Sequence, residues 1–371
     1  MLPAALIASF LCLTCADVAT AQPPTDLQQA GGTGASGDTR MMEMPTISAR
    51  QVAFCYAGDL WICNLDGSEV RRLTTHPGFE AQPRFSPDGE WIAFSGEYDG
   101  NMDAYLIPVA GGEPKRLTWH PDLDWVSGFT PDGKSVAFES PREVHTTRFR
   151  QLFTVPVTGG FPTRVPLPSS FGATFSPDGK QVAYSPHRRA FEQWKNYRGG
   201  TASRIWICTL DDLSVVEIPQ PAGRCNDVDP MWIGDRLFFN SDRNGEFNLF
   251  SFDARRQKVE QLTHHEDFPV TYATAGGGRI VYEQAGWLHV YDPQAARSQR
   301  MKIDIAAELI ETRPRLVSGE QYVRDGSISP SGARPAAAAG VGAAAASGAL
   351  CGASSGTAAP GAKAGTAGGG A

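Results

Sequence analysis

Between residues 44 and 305 the apolar positions fall into short runs, and the runs repeat. Three stretches are near-copies of one another: Phe85-Ser86-Pro87-Asp88-Gly89-Glu90-Trp91-Ile92-Ala93-Phe94, Phe129-Thr130-Pro131-Asp132-Gly133-Lys134-Ser135-Val136-Ala137-Phe138 and Phe175-Ser176-Pro177-Asp178-Gly179-Lys180-Gln181-Val182-Ala183-Tyr184. Weaker copies stand at Arg50-Gln51-Val52-Ala53-Phe54, Asp235-Arg236-Leu237-Phe238-Phe239 and Gly278-Arg279-Ile280-Val281-Tyr282. With Phe54, Phe94, Phe138, Tyr184, Phe239 and Tyr282 as equivalent positions, the intervals are 40, 44, 46, 55 and 43 residues, the period of a four-stranded blade with one insertion. The pattern therefore predicts an all-β chain, a six-bladed β-propeller of four-stranded antiparallel blades of the WD40-like kind.

Each repeat predicts the same elements. A strand ends at Pro-Asp-Gly, where proline presets the turn, aspartate can bond its own backbone and glycine accepts a positive φ. A buried strand follows, then a second apolar strand such as Leu60–Leu65, Ala104–Val109, Leu152–Val157, Ile205–Leu210, Asn248–Phe252 or Trp287–Tyr291. A turn such as Gly111-Gly112 or Asp66-Gly67 leads to an edge strand ending in Arg-Leu-Thr or Gln-Leu-Thr, as at Arg72-Leu73-Thr74, Arg116-Leu117-Thr118 and Gln261-Leu262-Thr263. No helical periodicity competes anywhere in 44–305.

The flanks do not follow this pattern. Ala4 to Cys15 is an apolar run, and Ala19-Thr20-Ala21 forms a small-x-small cleavage site before Gln22; residues 1–21 read as a signal peptide without the usual basic start, which implies a secreted or periplasmic protein. Residues 22–43 read as a flexible linker, and 306–332 as a linker with the first hairpin of an interrupted second propeller. From 333 to 371 the chain is Ala and Gly, a composition that predicts disorder. Such a tail is what a shifted reading frame in a GC-rich coding sequence produces, or a natural low-complexity extension.

Composition narrows the function classes. The chain has 371 residues and a net charge of −7, with no basic stripe, which argues against nucleic-acid partners, and nothing after the leader is long and apolar enough to span a bilayer. Of the seven cysteines, Cys63 and Cys208 hold the same strand position in opposed blades and cannot meet, and Cys55 and Cys225 have no assigned partner; all four read as packed thiols.

Chemistry is sparse. No Cys-x-x-Cys or His-x-x-x-His spacing points to a metal, and no cofactor motif is present. His76, His120 and His264 follow Leu-Thr at the same inter-blade connection, so they read as structural, and the aspartate of each Pro-Asp-Gly reads as a turn former. Candidate binding residues lie where the repeat is enlarged. The loop from Arg142 to Arg150 holds Arg142, His145, Arg148 and Arg150; the loop from His187 to Arg204 holds Arg188, Arg189, Lys195 and Arg198 beside Trp194 and Tyr197. Arg142, Arg148, Arg188, Arg189, Trp194 and Tyr197 are the candidate substrate-binding residues, since arginine forks hold carboxylates and aromatic faces hold apolar side chains.

The stretch Phe191-Glu192-Gln193-Trp194-Lys195-Asn196-Tyr197-Arg198-Gly199-Gly200 before Ile205-Trp206-Ile207 resembles the Trp-Lys-x-Tyr-x-Gly-Gly insertion in the first propeller of tricorn-type proteases. Asp229-Pro230-Met231-Trp232, Asn240-Ser241-Asp242-Arg243-Asn244-Gly245, Val281-Tyr282-Glu283-Gln284 and Arg313-Pro314-Arg315 are also similar to that family, and the match covers about 44–332. The resemblance implies a six-bladed propeller followed in the parent proteins by a seven-bladed one, a PDZ-like module and a serine peptidase domain of the S41 type. It implies a non-catalytic portion that gates or channels oligopeptides, whose C-terminal carboxylates are anchored by basic residues, here Arg142, Arg188 and Arg189 by loop position. Nucleophile, base and oxyanion hole are then expected outside this chain, and a homo-oligomer is a further expectation. Two alternatives share the Ser-Pro-Asp-Gly grammar: a stand-alone periplasmic TolB-like binding propeller, which would carry an α/β domain ahead of it, and the propeller of a prolyl-oligopeptidase-type enzyme, which would need a Gly-x-Ser-x-Gly segment.

Overall fold

A computed structural model describes residues 39–146, 148–188, 194–307, 323–328, 330–331 and 335–339. The leader, most of the linker at 22–43 and nearly all of the Ala/Gly tail lie outside the described residues. Blade 1 comprises β1 (Glu43–Ile47), β2 (Gln51–Tyr56), β3 (Asp59–Asn64) and β4 (Arg71–Arg72), and blade 2 comprises β5 (Glu80–Phe85), β6 (Trp91–Gly96), β7 (Asp103–Pro108) and β8 (Lys115–Arg116). Blade 3 holds β9 (Trp125–Phe129), β10 (Ser135–Ser140), β11 (Gln151–Pro156) and β12 (Thr163–Arg164), and blade 4 holds β13 (Phe171–Phe175), β14 (Gln181–Ser185), β15 (Trp206–Thr209) and β16 (Val215–Glu217). Blade 5 is β17 (Asp227–Ile233), β18 (Arg236–Ser241), β19 (Asn248–Asp253) and β20 (Lys258–Gln261); blade 6 is β21 (Val270–Gly276), β22 (Arg279–Gln284), β23 (Trp287–Asp292) and β24 (Arg297–Arg300). Each blade is one antiparallel four-stranded sheet in sequence order. The protein is an all-β six-bladed propeller.

The repeated Val-Ala-Phe string shows why the sheets stack radially. In β2, Val52 and Phe54 face blade 6 while Ala53 faces blade 2; in β6, Ile92 and Phe94 face blade 1 while Ala93 faces blade 3. The same division holds for Ala137, Ala183, Phe238 and Val281, so a hydrophobic cluster fills each of the six junctions. A strand covered on both faces needs a continuous apolar run rather than alternation, which is the pattern in the sequence. Phe54, Phe94, Phe138, Tyr184, Phe239 and Tyr282 are all fully buried, and each is paired in register with a ring on the third strand: Trp61, Tyr105, Phe153, Trp206, Phe250 and His289.

The turns hold as the chemistry of Pro-Asp-Gly requires. Asp132 accepts from Thr130 Oγ1 at 2.7 Å and from Lys134 N at 3.1 Å, Asp178 accepts from Ser176 Oγ at 2.6 Å and from Lys180 N at 3.1 Å, and Gly133 and Gly179 sit at φ 69° and 72°. These bonds to the charged form hold the Asp88, Asp132 and Asp178 carboxyls below the usual range.

Among the described residues no strand is exchanged to close the ring. Blade 1 instead meets blade 6 through Met42, Ile47, Val52 and Phe54 against Val281, Leu288, Met301 and Ile303, with Thr274 Oγ1 donating to Pro45 O at 2.9 Å and Thr39 N to Ile303 O at 2.9 Å. The approach is close at Gly276, where a Cβ would stand 1.8 Å from Ile47 O.

Two expectations are corrected here. The repeat-equivalent of His76 and His120 is His265, not His264: Asn101 Nδ2 donates to His120 O at 2.7 Å, and Asn248 Nδ2 to His265 O at 3.0 Å. Pro335–Ala339, inside the segment expected to be disordered from 333, forms strand β26 against β25 (Val323–Ile328). Ladder hydrogen bonds are made by the backbone, so alanine side chains do not prevent them.

Candidate functional site

The innermost strands of all six blades line an axial cavity of about 460 Å³. Polar side chains reach it because the pairing of the innermost strand with its neighbour is irregular in every blade. At four of these places a residue with left-handed φ enters the cavity wall: Gln82 (53°), Gly172 (63°), Asp229 (53°) and Tyr272 (50°). Such bulges re-aim side chains, and non-glycine residues held at positive φ cost roughly 1–3 kcal/mol each, which concentrates them at functional surfaces. The sequence signal was the proline after the bulge, at Gln82-Pro83 and Asp229-Pro230, which the reading of Pro-Asp-Gly turns overshadowed.

Arg50, Arg84 and Arg150 and the acids Asp88, Glu139 and Asp229 line the cavity, with Arg50 engaged by Glu90 and Asp88 by its own turn. Arg84 donates to Ser127 O (3.1 Å), Pro83 O (2.8 Å) and Gln82 Oε1 (2.5 Å). Arg150 lies with its guanidinium carbon 5.7 Å from the ring centroids of both Trp125 and Phe171, and its Nε has no hydrogen-bond partner among the described residues. Opposite charge comes from Glu139, buried and accepting Ala173 N at 3.0 Å, and from Asp229, which accepts Asn240 Nδ2 at 2.9 Å.

One face of the propeller is built from the loops between second and third strands and from the inter-blade connections. The enlarged loops predicted as binding elements both lie on it. Arg142 is anchored within the blade: its Nη2 bridges Asp124 Oδ1 and Oδ2 at 2.7 and 2.6 Å, its Nε meets Ser140 Oγ at 3.2 Å, and it lies over Phe138 and Phe153 at 4.9 and 5.2 Å. Arg243 repeats every part of this with Asp227, Ser241, Phe239 and Phe250. The aspartates stand outside the repeated string, so the symmetry was invisible in it. Arg148, by contrast, is exposed, Arg188 is half-buried with its carbonyl accepting Ser203 Oγ at 3.0 Å, and Arg189 lies outside the described residues.

The insertion of blade 4 is stapled to blade 5. Lys195 Nζ meets Glu246 Oε2 at 2.6 Å, Arg198 Nη1 meets Asp242 Oδ2 at 2.6 Å, and Asn226 Nδ2 donates to Tyr197 O at 2.9 Å. Trp194 is thereby presented 71% exposed, its ring 6.2 Å from that of half-buried Tyr197. Trp119 (64% exposed), Phe149 and Phe268 are exposed on the same face, and sequence reasoning missed them because each is a single aromatic in a polar connection. The four cysteines among the described residues, Cys55, Cys63, Cys208 and Cys225, form no disulfide and are buried, and burial pushes the Cys63 and Cys225 thiols up to about 12.

By architecture the molecule is a six-bladed propeller with a polar axial cavity and an aromatic, cationic loop face. Residues 39–297 match the family described as the tricorn protease N-terminal beta propeller domain. The tricorn protease homolog 1 of Streptomyces coelicolor is 30% identical over 299 residues, 78% of this chain and 27% of the homolog. The crystal structure of the tricorn protease superposes with a TM-score of 0.68 at 22% identity, over 78% of this chain and 28% of that one. A putative TolB from Agrobacterium tumefaciens shares the fold at a TM-score of 0.50 and 21% identity, over 67% of this chain and 83% of that one. The chain belongs to the tricorn N-terminal propeller family. It spans about a quarter of the length of the curated tricorn relatives it matches.

Proposed function

We propose that this propeller is the non-catalytic portion of a tricorn-like serine peptidase, of the S41 type, that gates or channels oligopeptides toward a catalytic domain. In this reading the chain works outside the cytoplasm behind its leader, and the downstream propeller, PDZ-like and peptidase domains are its partners, in a homo-oligomer. The observation that carries it is the pairing of an axial cavity with a guanidinium, Arg150, that meets aromatic rings and no carboxylate among the described residues. A peptide carboxylate supplies what that group lacks. Arg148, Arg188 and Arg189 would receive the peptide on the loop face, with Trp194 and Tyr197 offering apolar contact, while Arg142 holds the base of its loop rather than the ligand.

The test is a fluorescence-anisotropy titration of labelled oligopeptides with free or amidated C-termini. Free-acid peptides are expected to bind several-fold more tightly, and the double variant Arg148→Ala/Arg150→Ala to lose that difference. Equal affinity for acid and amide in the unaltered chain would refute the reading.

A further inference from the structure

Three inter-blade junctions carry a buried acid at the head of the innermost strand: Glu80, Asp124 and Asp227. Asp124 and Asp227 each face an arginine lying on the blade's aromatic pair. Blade 2 departs from this pattern. Its pair, Phe94 and Tyr105 (5.6 Å apart), carries Tyr98 instead, whose ring lies 6.1 and 4.5 Å from theirs. The Tyr98 hydroxyl takes the guanidinium's place against Glu80 Oε1. Glu80 Oε2 accepts Leu60 N at 2.9 Å and the Thr74 hydroxyl. One carboxyl thus ties together β3, the connection between blades 1 and 2, and the β6–β7 loop, with hydrogen bonds and no cation at ion-pair distance among the described residues.

Among the described residues no cation is paired with Glu80. Asp59 heads β3 and is already paired with Arg72; Glu43 of β1 and Cys55 of β2 lie on the same side; Tyr105 faces from β7; and His76 stacks on the far side of Tyr98 with centroids 3.9 Å apart. Arg84 of β5 points to the cavity, bound by carbonyls. We propose that the junction between blades 1 and 2 is a proton-operated seam in the ring, closed while Glu80 is neutral and loosened when it ionises. An ionised carboxylate there is desolvated without a paired cation, whereas the neutral acid keeps the Leu60 and Thr74 bonds on Oε2 and donates its own proton from Oε1 to the Tyr98 hydroxyl, reversing that one bond. Burial, with Asp59 adding to it, outweighs the hydrogen bonds from Thr74, Tyr98 and Leu60 that favour the charged form, and lifts Glu80 to about 7. Because this value lies above that of an exposed glutamate, the seam is tightest at low pH, and the contribution is lost as pH rises through about 7.

Hydrogen exchange on the full chain, read as protection factors between roughly pH 5 and 8, tests the seam. The Leu60 amide is the reporter, and the Ala104 amide, which donates to Thr118 Oγ1 at 2.9 Å where the nearby acid, Asp103, is paired with Arg116, is its internal control. Leu60 protection is expected to fall at least tenfold more than that of Ala104, and Glu80→Gln to flatten the Leu60 profile. Equal pH dependence of the two amides overturns the proposal, and so does a Glu80→Gln chain that keeps the fall. Should Glu80→Gln not fold, the comparison of the two amides in the unaltered chain decides.

Discussion

Arg243 Nη2 stands 2.9 and 3.0 Å from the two carboxylate oxygens of Asp227, and both side chains are almost fully buried. Removing one partner of such a pair leaves an uncompensated buried charge, which costs about 3–5 kcal/mol. Arg243→Ala is therefore expected to lower the urea midpoint sharply, and adding Asp227→Asn to restore part of the loss. Arg142→Ala should behave likewise through Asp124, with urea unfolding as the measurement.

A second expectation concerns acid. Burial, with His265 and Arg300 beside it, lowers His289 to about 4, and burial lowers His265 as well. A histidine depressed in the folded state contributes stability that is complete above its unfolded value and is lost as pH falls from about 6.5 toward about 4. His289 lies partly buried in the stack with Tyr282, ring centroids 5.2 Å apart. His289→Phe is expected to remove about 2 kcal/mol of the acid sensitivity; thermal melts at pH 7 and pH 4.5 check it.

Ring closure is sensitive to a single methyl. A Cβ at position 276 would fall 1.8 Å from Ile47 O, whereas at Gly128 of β9 nothing lies within 4 Å. Gly276→Ala should destabilise the chain by at least about 2 kcal/mol, and Gly128→Ala by well under about 1 kcal/mol. Differential scanning calorimetry separates the two.

The outer edges carry their own asymmetry. β4, β8, β12, β20 and β24 each hold a lysine or arginine, while β16 reads Val215-Val216-Glu217, with the two valines 46% and 49% exposed. Cationic residues on an edge strand suppress edge-to-edge pairing. Val216→Lys is expected to raise the concentration at which the chain self-associates, by light scattering, with no loss in melting temperature.

The radial stack was legible because its cause is local and repeated. Val52-Ala53-Phe54 and its copies place large and small side chains on alternate faces, and the number of copies sets the number of blades. The turns were legible for the same reason, since Asp88, Asp132 and Asp178 bond the backbone two residues on. Arg142 was harder to read: its partner Asp124 is 18 residues away in sequence, and only its recurrence at Arg243 and Asp227 shows it to be part of the frame.

From the chain's order of residues alone came the all-β class, six repeats, the turn chemistry and the two enlarged loops, because each depends on spacing within one repeat. Tertiary structure decided which charges are spent and which are offered. Asp124 neutralises Arg142, Asp242 and Glu246 hold Arg198 and Lys195, Trp125 and Phe171 leave Arg150 facing the cavity, and Tyr98 stands where other blades put an arginine. Those outcomes depend on pairs from different strands and blades, whose separation along the chain carries no periodic signal.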